Sequence, residues 1–409
     1  MENVKKDKIK VMQVLDTYFP NFDGPTILIN NYAKCMKKRG DTDVEILVPK
    51  YPKYKDSDEF PVHRILSFPV AEKYRCVLPM FDRSGAKVLK NKKEPFDIIH
   101  VHSPFVIANH AINVARRNGI PSVITLHTRF HEDFGRILAW KPLRKFMMWY
   151  IMRAFKKADR VICVSDGTVD TIREYGYKGD VKVIRNGTDL KYPANAEELK
   201  EKVIKAHNLE NAENVFLSVG RIVENKRLDL ALDTMKILKD RGVKFTYLMV
   251  GAGSYEEKLK KRTTALGLDD CVIFTGKVMD RDLLSGYYLA SDLFIFPSTF
   301  DTASLAPIEA AALKLPSIMT KGCSTAEIIT DDRNGFVAEN SAAAWANKIQ
   351  EIIDKKHLLP EIKENAFNEV YRSWDSVVEE LREYYLQVIS EYKEERMAKN
   401  AKKNKKTAQ

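Results

Sequence analysis

The sequence lacks the features expected of a membrane-spanning or secreted protein. No apolar run approaches the roughly 20 residues needed to cross a bilayer, and the first residues, MENVKKDKIK, contain no apolar stretch of signal-peptide length. The five cysteines form no CxxC pair, which argues against a zinc site or a disulfide framework. We therefore expect a cytoplasmic protein, with peripheral attachment to the inner face of the cell membrane kept as an option.

Common catalytic motifs are also missing. GxxxxGK[ST], GxSxG and HExxH occur nowhere in the chain. The nearest approach to a dinucleotide fingerprint is the pair Gly251 and Gly253, but Glu256 stands where a third glycine is required. This argues against a dehydrogenase, and it favours a tight packing turn or a contact to a base or phosphate.

The length and pattern of the chain predict two α/β domains. With 409 residues, 44% of them hydrophobic, the chain can bury two cores. Strand and helix patterns alternate in both halves, which predicts a doubly wound parallel sheet in each. We place one domain at 1–188 and the other at 189–374. A helix over about 375–396 is expected to pack back on the first domain, and the basic segment 397–409 is expected to be disordered.

The stretch 293–316 carries the strongest functional signal. A short apolar strand is followed by a polar turn and then by helical spacing over 305–315, an order that builds ligand sites in open α/β sheets. The N–H groups of 302–304 ahead of the helix suit a phosphate. Asp301 and Glu309 would repel a phosphate, so sugar or ribose hydroxyls are their natural partners. We interpret the stretch as a nucleotide-sugar site.

Charged or polar residues also stand at other predicted strand ends. Arg221 and Lys226 precede a helix, where they can grip a diphosphate, although solvated charges in an exposed loop are the alternative. His127 ends a strand where an active site would lie, and a buried structural histidine is the other interpretation. His100 and His102 would point to one side of their strand. We favour a polar strand end there over a metal site, because no third ligand is apparent.

Residues 136–160 have the most unusual composition in the chain. Eight basic residues stand against one acid, and 146–152 is entirely apolar or aromatic. Such a helix can lie on a bilayer with its rings buried and its cations near anionic headgroups, or it can be a core helix with solvated ends. Nucleic acid ranks lower as a partner, because no recognised nucleic-acid module occurs. The membrane or acceptor surface would comprise Trp140, Arg144, Lys145, Trp149 and Arg153.

Over nearly its whole length, the chain resembles the retaining glycosyltransferases of the GT-B fold, in particular family GT4. The family's glutamate pair corresponds to Asp301 and Glu309 in FPSTFDTASLAPIEAAA, and its diphosphate-binding pair to Arg221 and Lys226 in SVGRIVENK. The segments HVHSPF and LHTRFHEDF resemble members that glycosylate lipids such as diacylglycerol, alongside capsule and phosphoinositide enzymes. The remaining matches are Gly24 in the first loop, His127 at a THT-like strand end and the turn Asn186-Gly187.

The resemblance implies two Rossmann-like domains that face each other across a cleft. It also implies a metal-independent, retaining transfer of a hexose from a nucleotide-diphosphate sugar, with a UDP-sugar favoured. Glu309 would hold the ribose, Asp301 the donor sugar, and His127 would complete the site on closure. The cations and the helix start would stabilise the departing diphosphate. The donor-binding positions are then Gly24, Arg221, Lys226, Gly251, Gly253, Val278, Ser304, Leu305 and Glu309.

Three hypotheses about function remain open. The first is a glycosyltransferase with a lipid acceptor, such as diacylglycerol, at an anionic membrane surface. The second is the same enzyme with a soluble or polysaccharide acceptor, in which 136–160 belongs to the core. The third is a non-catalytic relative that binds a nucleotide sugar. It arises because Asp301, Ser304 and Pro25 replace a glutamate and two glycines of the family pattern.

Overall fold

The computed structural model describes residues 8–21, 23–70, 75–77, 87–89, 93–137 and 140–407. The chain divides into two compact units. The first unit comprises Met1–Arg185 together with Trp374–Gln409, and the second comprises Asn186–Ser373. The chain thus leaves the first unit at Arg185, where the sequence had placed the boundary at residue 188.

The first unit is built on a parallel sheet of seven strands in the order β3-β2-β1-β6-β7-β8-β9. A short antiparallel pair, β4 and β5, accompanies it. The strand order changes direction between β1 and β6, and ligand sites form at such switch points in open sheets. The elements before the chain leaves this unit are β1 (Ile9–Val14), α1 (Gly24–Arg39), β2 (Thr42–Pro49), β3 (Val62–Ile65), β4 (Ser67–Pro69), β5 (Arg75–Val77), β6 (Ile98–Val101), α2 (Val106–Asn118), β7 (Ser122–Leu126), α3 (Phe130–Ile137), α4 (Lys141–Lys157), β8 (Arg160–Cys163), α5 (Asp166–Glu174) and β9 (Val181–Val183).

The second unit repeats this plan with a parallel sheet in the order β12-β11-β10-β13-β14-β15. Its 3-10 helices are Glu224–Lys226, Ser324–Ile328 and Lys356–Leu358. Its strands and α-helices are α6 (Ala196–Ala206), β10 (Val215–Val219), α7 (Leu228–Asp240), β11 (Thr246–Val250), α8 (Glu256–Ala265), β12 (Val272–Gly276), α9 (Arg281–Leu289), β13 (Leu293–Phe296), α10 (Ala306–Ala312), β14 (Ser317–Thr320), β15 (Phe336–Ala338), α11 (Ala342–Asp354) and α12 (Leu359–Glu369).

Both sheets are buried on two faces, which explains their composition. The central strands β6, β7 and β13 are buried at every residue, so they read as continuous apolar runs rather than as alternating ones. Helix ends follow local signals: Asp23 accepts a hydrogen bond from the Thr26 N–H at 2.9 Å at the start of α1, and Gly40 ends that helix with a φ of 74°. The predicted class, with two doubly wound parallel sheets, is confirmed.

The last helix, α13 (Trp374–Thr407), returns the chain to the first unit. The side chains of Trp374 and Tyr385 are buried there, and the Arg382 guanidinium lies 3.4 Å from the Asp41 carboxylate. The prediction of disorder from residue 397 is wrong as far as the helix extends. Lysine and alanine, which favour helix, dominate its end, and Lys399 lies 3.8 Å from Glu395 one turn earlier. Residues 408–409 lie outside the described residues.

None of the helices in the described part of the chain combines the length and hydrophobicity needed to cross a bilayer.

Candidate active site

Two loops at the carboxyl ends of β10 and β11 pack closely against each other in the second unit. The Gly220 N–H donates to the Val250 carbonyl at 3.0 Å. A Cβ atom at Gly251 would overlap the carbonyl oxygen of Gly220, and one at Gly253 would overlap that of Ile222. Of the two interpretations of this glycine pair, the structure therefore supports the tight packing turn.

The predicted diphosphate-binding cations lie beside these loops. Arg221 follows β10 and has an exposed side chain. Lys226 ends the 3-10 helix Glu224–Lys226, and its ammonium lies 5.4 Å from the centre of the Phe296 ring. Both residues line one pocket, together with the start of the loop that follows β13. The structure thus brings the two cations to the end of the sheet, as the sequence predicted.

Lys226 is bonded to Asp301, the residue predicted to hold the donor sugar. The Lys226 Nζ lies 2.7 Å from Oδ1 and 2.8 Å from Oδ2 of Asp301. The Thr325 hydroxyl donates to the Asp301 carbonyl at 2.8 Å and so holds the loop in place. The sequence analysis assigned Lys226 to the diphosphate and Asp301 to the donor sugar. In the structure these two side chains form an ion pair with each other.

Glu309 lies in the first turn of α10 and is surrounded by hydrogen-bond donors. The Tyr288 hydroxyl donates to Oε2 at 3.0 Å, and the Arg281 guanidinium donates to Oε1 at 3.2 and 3.3 Å. Arg281 also forms an ion pair with Asp189. Burial raises the pKa of Glu309, and the neighbouring Arg281 opposes that rise. Sequence reasoning missed these three neighbours, although Arg281 and Tyr288 stand seven residues apart on one helix.

The segment ahead of α10 is held by a contact with the start of the second unit. The Asn186 side-chain amide donates to the Ala303 carbonyl at 2.9 Å, so the predicted turn has a direct role in placing Ser304 and Leu305. The helix itself ends at Ala312, not at residue 315 as predicted, because Lys314 adopts a left-handed conformation with a φ of 57°.

Val278 lies in the loop between β12 and α9, partly buried against the apolar core of the second unit. The loop ends in a helix cap in which the Asp280 carboxylate accepts from the N–H groups of Asp282 and Leu283, at 2.9 and 3.1 Å. Val278 and Arg281 are therefore carried on one fixed loop–helix junction.

In the first unit, His100 and His102 point to the same side of β6, and their rings are 3.9 Å apart. The His100 Nδ1 contacts the Tyr385 hydroxyl at 2.5 Å, and its Nε2 contacts the Thr125 hydroxyl at 2.6 Å. Within the described residues, no group of three or more His, Cys, Asp or Glu side chains is placed to hold a metal ion. The structure supports the polar strand end.

His127 extends this cluster at the end of β7. Its Nε2 lies 3.1 Å from the Nδ1 of His102, whose Nε2 contacts the Gln13 side-chain oxygen. Because that oxygen only accepts, His102 carries its proton on Nε2 and accepts from the Nε2–H of His127. Burial lowers the pKa of His127 to about 4 and lowers the pKa values of His100 and His102 as well. The three imidazoles are therefore neutral at neutral pH.

Gly24 is the first residue of α1, directly after the capping residue Asp23. A Cβ atom there would meet no described atom within 4 Å. Packing therefore does not require a glycine at this position, which leaves the predicted close approach of a ligand as its proposed role.

Helix α4 has one buried side and one exposed side. Its later part places Ile151 and Phe155 in the core, whereas Trp140 and Trp149 are 66% and 58% exposed. Phe146 is also exposed and lies 5.8 Å from Trp149, and the Arg153 guanidinium lies 5.9 Å from the Trp149 ring. The helix is thus anchored on one side and presents aromatic rings and cations on the other.

An open groove of about 790 Å³ runs along this face of α4. We call it the basic groove, and among the described residues that line it Glu174 is the one acid. Its other lining residues are His131, Lys141, Arg144, Lys145, Met148, Trp149, Met152, Arg153, Lys156, Lys157 and Tyr175.

Two family profiles match the chain, one in each half. The profile described as Glycosyltransferase Family 4 matches residues 22–192, and the one described as Glycosyl transferases group 1 matches residues 199–369. Together they account for most of the chain, and both units are represented.

Individual proteins agree with these profiles. The chain is 28% identical to an alpha-monoglucosyldiacylglycerol synthase from Streptococcus pneumoniae, over 91% of this chain and 85% of the relative. It is 25% identical to a GDP-mannose-dependent alpha-(1-6)-phosphatidylinositol dimannoside mannosyltransferase from Mycobacterium tuberculosis, over 69% of this chain and 70% of the relative. The crystal structure of Anabaena HepE with UDP and glucose matches with a TM-score of 0.70 and 20% identity, over 92% and 99% of the two chains.

These matches define a class: the chain is a glycosyltransferase with the GT-B fold. Within that class it belongs to the GT4-type family, as its sequence motifs predicted.

Proposed function

We propose that this glycosyltransferase transfers a hexose, with retention of configuration, from a nucleotide-diphosphate sugar to a hydroxyl group of a membrane lipid such as diacylglycerol. A UDP-sugar is the favoured donor. The observation that carries the choice of acceptor is the basic groove beside two exposed tryptophans in the first unit.

The donor side rests on the second unit. Arg221 and Lys226 at the end of β10 can neutralise the charge that develops on a departing diphosphate. Because these fixed cations supply the positive charge, the proposed reaction does not depend on a metal ion. Glu309 takes the ribose and Asp301 the transferred sugar, while His127 of the first unit remains the proposed sugar contact.

The acceptor side rests on α4. Trp140 and Trp149 are more than half exposed and stand among lysines and arginines, a combination that suits the interface of a bilayer. Each such cation near an anionic bilayer contributes about 1 kcal/mol of binding. The two curated relatives named above carry diacylglycerol and phosphatidylinositol dimannoside in their names, which is the same class of acceptor.

Vesicle flotation tests the membrane contact. The protein should float with vesicles of phosphatidylcholine and phosphatidylglycerol, and it should be released as salt rises, because salt screens exposed charges over about 10 Å at 0.1 M. Trp140→Ser with Trp149→Ser should abolish most of the flotation while the circular dichroism spectrum is unchanged. Leu358→Ser, which alters an exposed apolar residue of the second unit, is the matched control.

The basic end of α13 could bind vesicles by charge alone, so a second protein lacking residues 397–409 belongs in the same experiment. It should keep most of the flotation. A protein that never floats, yet glycosylates a soluble or polysaccharide acceptor, would favour the second hypothesis. A protein that binds nucleotide sugar and never transfers the sugar would favour the third.

A further inference from the structure

The carboxylate of Glu309 has few acceptor positions left. A carboxylate offers about four lone-pair positions, two on each oxygen. Both N–H bonds from Arg281 end on Oε1, and the Tyr288 hydroxyl takes one position on Oε2. A ribose hydroxyl that donates to Glu309 therefore meets Oε2, unless the guanidinium moves away.

Arg281 is held in place at both its backbone and its guanidinium. It is the first residue of α9, directly after the capped junction at Asp280. Its guanidinium is bonded to Asp189 as well as to Glu309, so one side chain joins the start of the second unit to α10. The Arg281 side chain is 42% exposed, whereas that of Glu309 is 13% exposed, so the arginine lies on the solvent side of the carboxylate.

The surroundings of Glu309 shift its pKa in opposite directions. Burial and the carboxylate of Asp189 raise the pKa of Glu309, while Arg281 and the Tyr288 hydrogen bond lower it. Tyr288 stays a neutral donor, because burial and Glu309 raise the pKa of its hydroxyl. Without the guanidinium, burial and the repulsion from Asp189 would raise the pKa of Glu309 further, because the neighbouring positive charge that lowers it would be gone.

We propose that Arg281 is a positioning residue for the nucleotide: by donating both its bonds to Oε1, it holds the Glu309 carboxylate turned so that Oε2 receives a ribose hydroxyl. This inference rests on the proposed role of Glu309 as the ribose ligand. It adds a residue that no sequence motif marked, and it assigns Asp189 the task of holding Arg281.

Calorimetric titration with UDP, repeated with GDP, tests the proposal without an acceptor. The wild-type protein should bind with similar affinity from about pH 6 to about pH 8, because the paired Arg281 guanidinium favours the ionised form of Glu309. Arg281→Met should bind at least about tenfold more weakly at the lower pH and recover much of the loss at the higher pH. Arg281→Lys should restore part of the affinity.

A second probe separates positioning from general damage. 2′,3′-Dideoxy-UDP should bind the wild-type protein more weakly than UDP does, and Arg281→Met should lose most of that difference. Arg262→Met is the matched control, because Arg262 is 44% exposed, is paired with Asp233 in the same unit and lies outside the candidate site. It should change neither the affinity nor its pH dependence.

An equal loss of affinity at every pH, or an unchanged preference for the ribose hydroxyls in Arg281→Met, would overturn the role of Arg281 alone. Wild-type protein that binds neither UDP nor GDP would overturn the proposed function together with it.

Discussion

The ammonium group of Lys226 lies 2.7 and 2.8 Å from the two carboxylate oxygens of Asp301. A diphosphate that takes a bond from Lys226 must therefore compete with Asp301 for the same cation. The Thr325 hydroxyl donates to the backbone carbonyl of Asp301 and holds the loop that carries this residue. We therefore propose that Asp301 acts on the diphosphate indirectly, in addition to its proposed contact with the sugar.

The first prediction concerns this competition. Asp301→Asn should raise the affinity for UDP, because Lys226 is released, whereas sugar transfer should fall. Lys226→Ala and Arg221→Ala should each lower UDP affinity by about tenfold or more, since charge-assisted hydrogen bonds contribute about 1.5–3 kcal/mol. Calorimetry on the three variants measures the affinities. Weaker UDP binding by Asp301→Asn would show that the carboxylate does not compete for the lysine.

The second prediction concerns metal ions. Dialysis against EDTA should leave both UDP affinity and turnover unchanged, because Arg221 and Lys226 carry the positive charge that a metal would otherwise supply. The assay compares EDTA-treated protein before and after addition of magnesium or manganese. Turnover that disappears with EDTA and returns with either ion would contradict the proposed mechanism.

The third prediction follows from Asp16, which lies just after β1. Its carboxylate accepts from the Ser103 hydroxyl at 2.7 Å and from the Ile107 N–H at 3.2 Å, yet burial raises its pKa to about 7. The ionised form is thus disfavoured in the folded protein. Stability from this group is full below its unfolded pKa of about 4 and is lost as the pH rises through 7, by up to about 4 kcal/mol.

Asp16→Asn keeps an acceptor for Ile107 and gains a donor for Ser103, so it should not lose stability as the pH rises. Urea unfolding from about pH 5 to about pH 8 should show the difference between variant and wild type growing in favour of asparagine. A difference that is the same at every pH would mean that Asp16 has an ordinary pKa in the folded protein.

The fourth prediction concerns the histidine cluster. The Tyr385 hydroxyl contacts both His100 and the Gln13 amide, the latter at 3.1 Å, so Tyr385→Phe leaves two buried polar groups without this partner. We expect a loss of about 1–3 kcal/mol in the free energy of unfolding. Tyr384→Phe, one residue earlier on α13, is the matched control and should be nearly neutral. Equal losses in both variants would assign the effect to packing instead.

The same cluster is expected to make the first unit less stable in acid. The pKa of His127 is lowered to about 4 in the folded protein, whereas an unfolded histidine titrates near 6.5. Stability is therefore full above about pH 6.5 and falls as the pH drops toward 4, by up to about 3 kcal/mol for this residue.

Sequence patterns predicted helices and strands best where one short segment contains both the apolar run and the residues that end it. From apolar runs between clear stop signals, the sequence predicts a helix at 106–118 and strands at 122–126, 215–219 and 293–296, and α2, β7, β10 and β13 have these bounds. Arg281 and Tyr385 went unnoticed, because Glu309 lies 28 residues from Arg281 and His100 lies 285 residues from Tyr385. Contacts at such separations leave no periodic pattern, so only the folded chain identifies the partners of the candidate site residues.

The return of α13 has a consequence for synthesis on the ribosome. The second unit is one uninterrupted segment, Asn186–Ser373, and all its residues emerge before Trp374 does. The core of the first unit needs Trp374, which packs 5.7 Å from Tyr32, and needs the buried Tyr385. The unit that begins the chain is therefore the last to be completed: all its strands precede Arg185, but α13 reaches it only after the whole second unit has been synthesised.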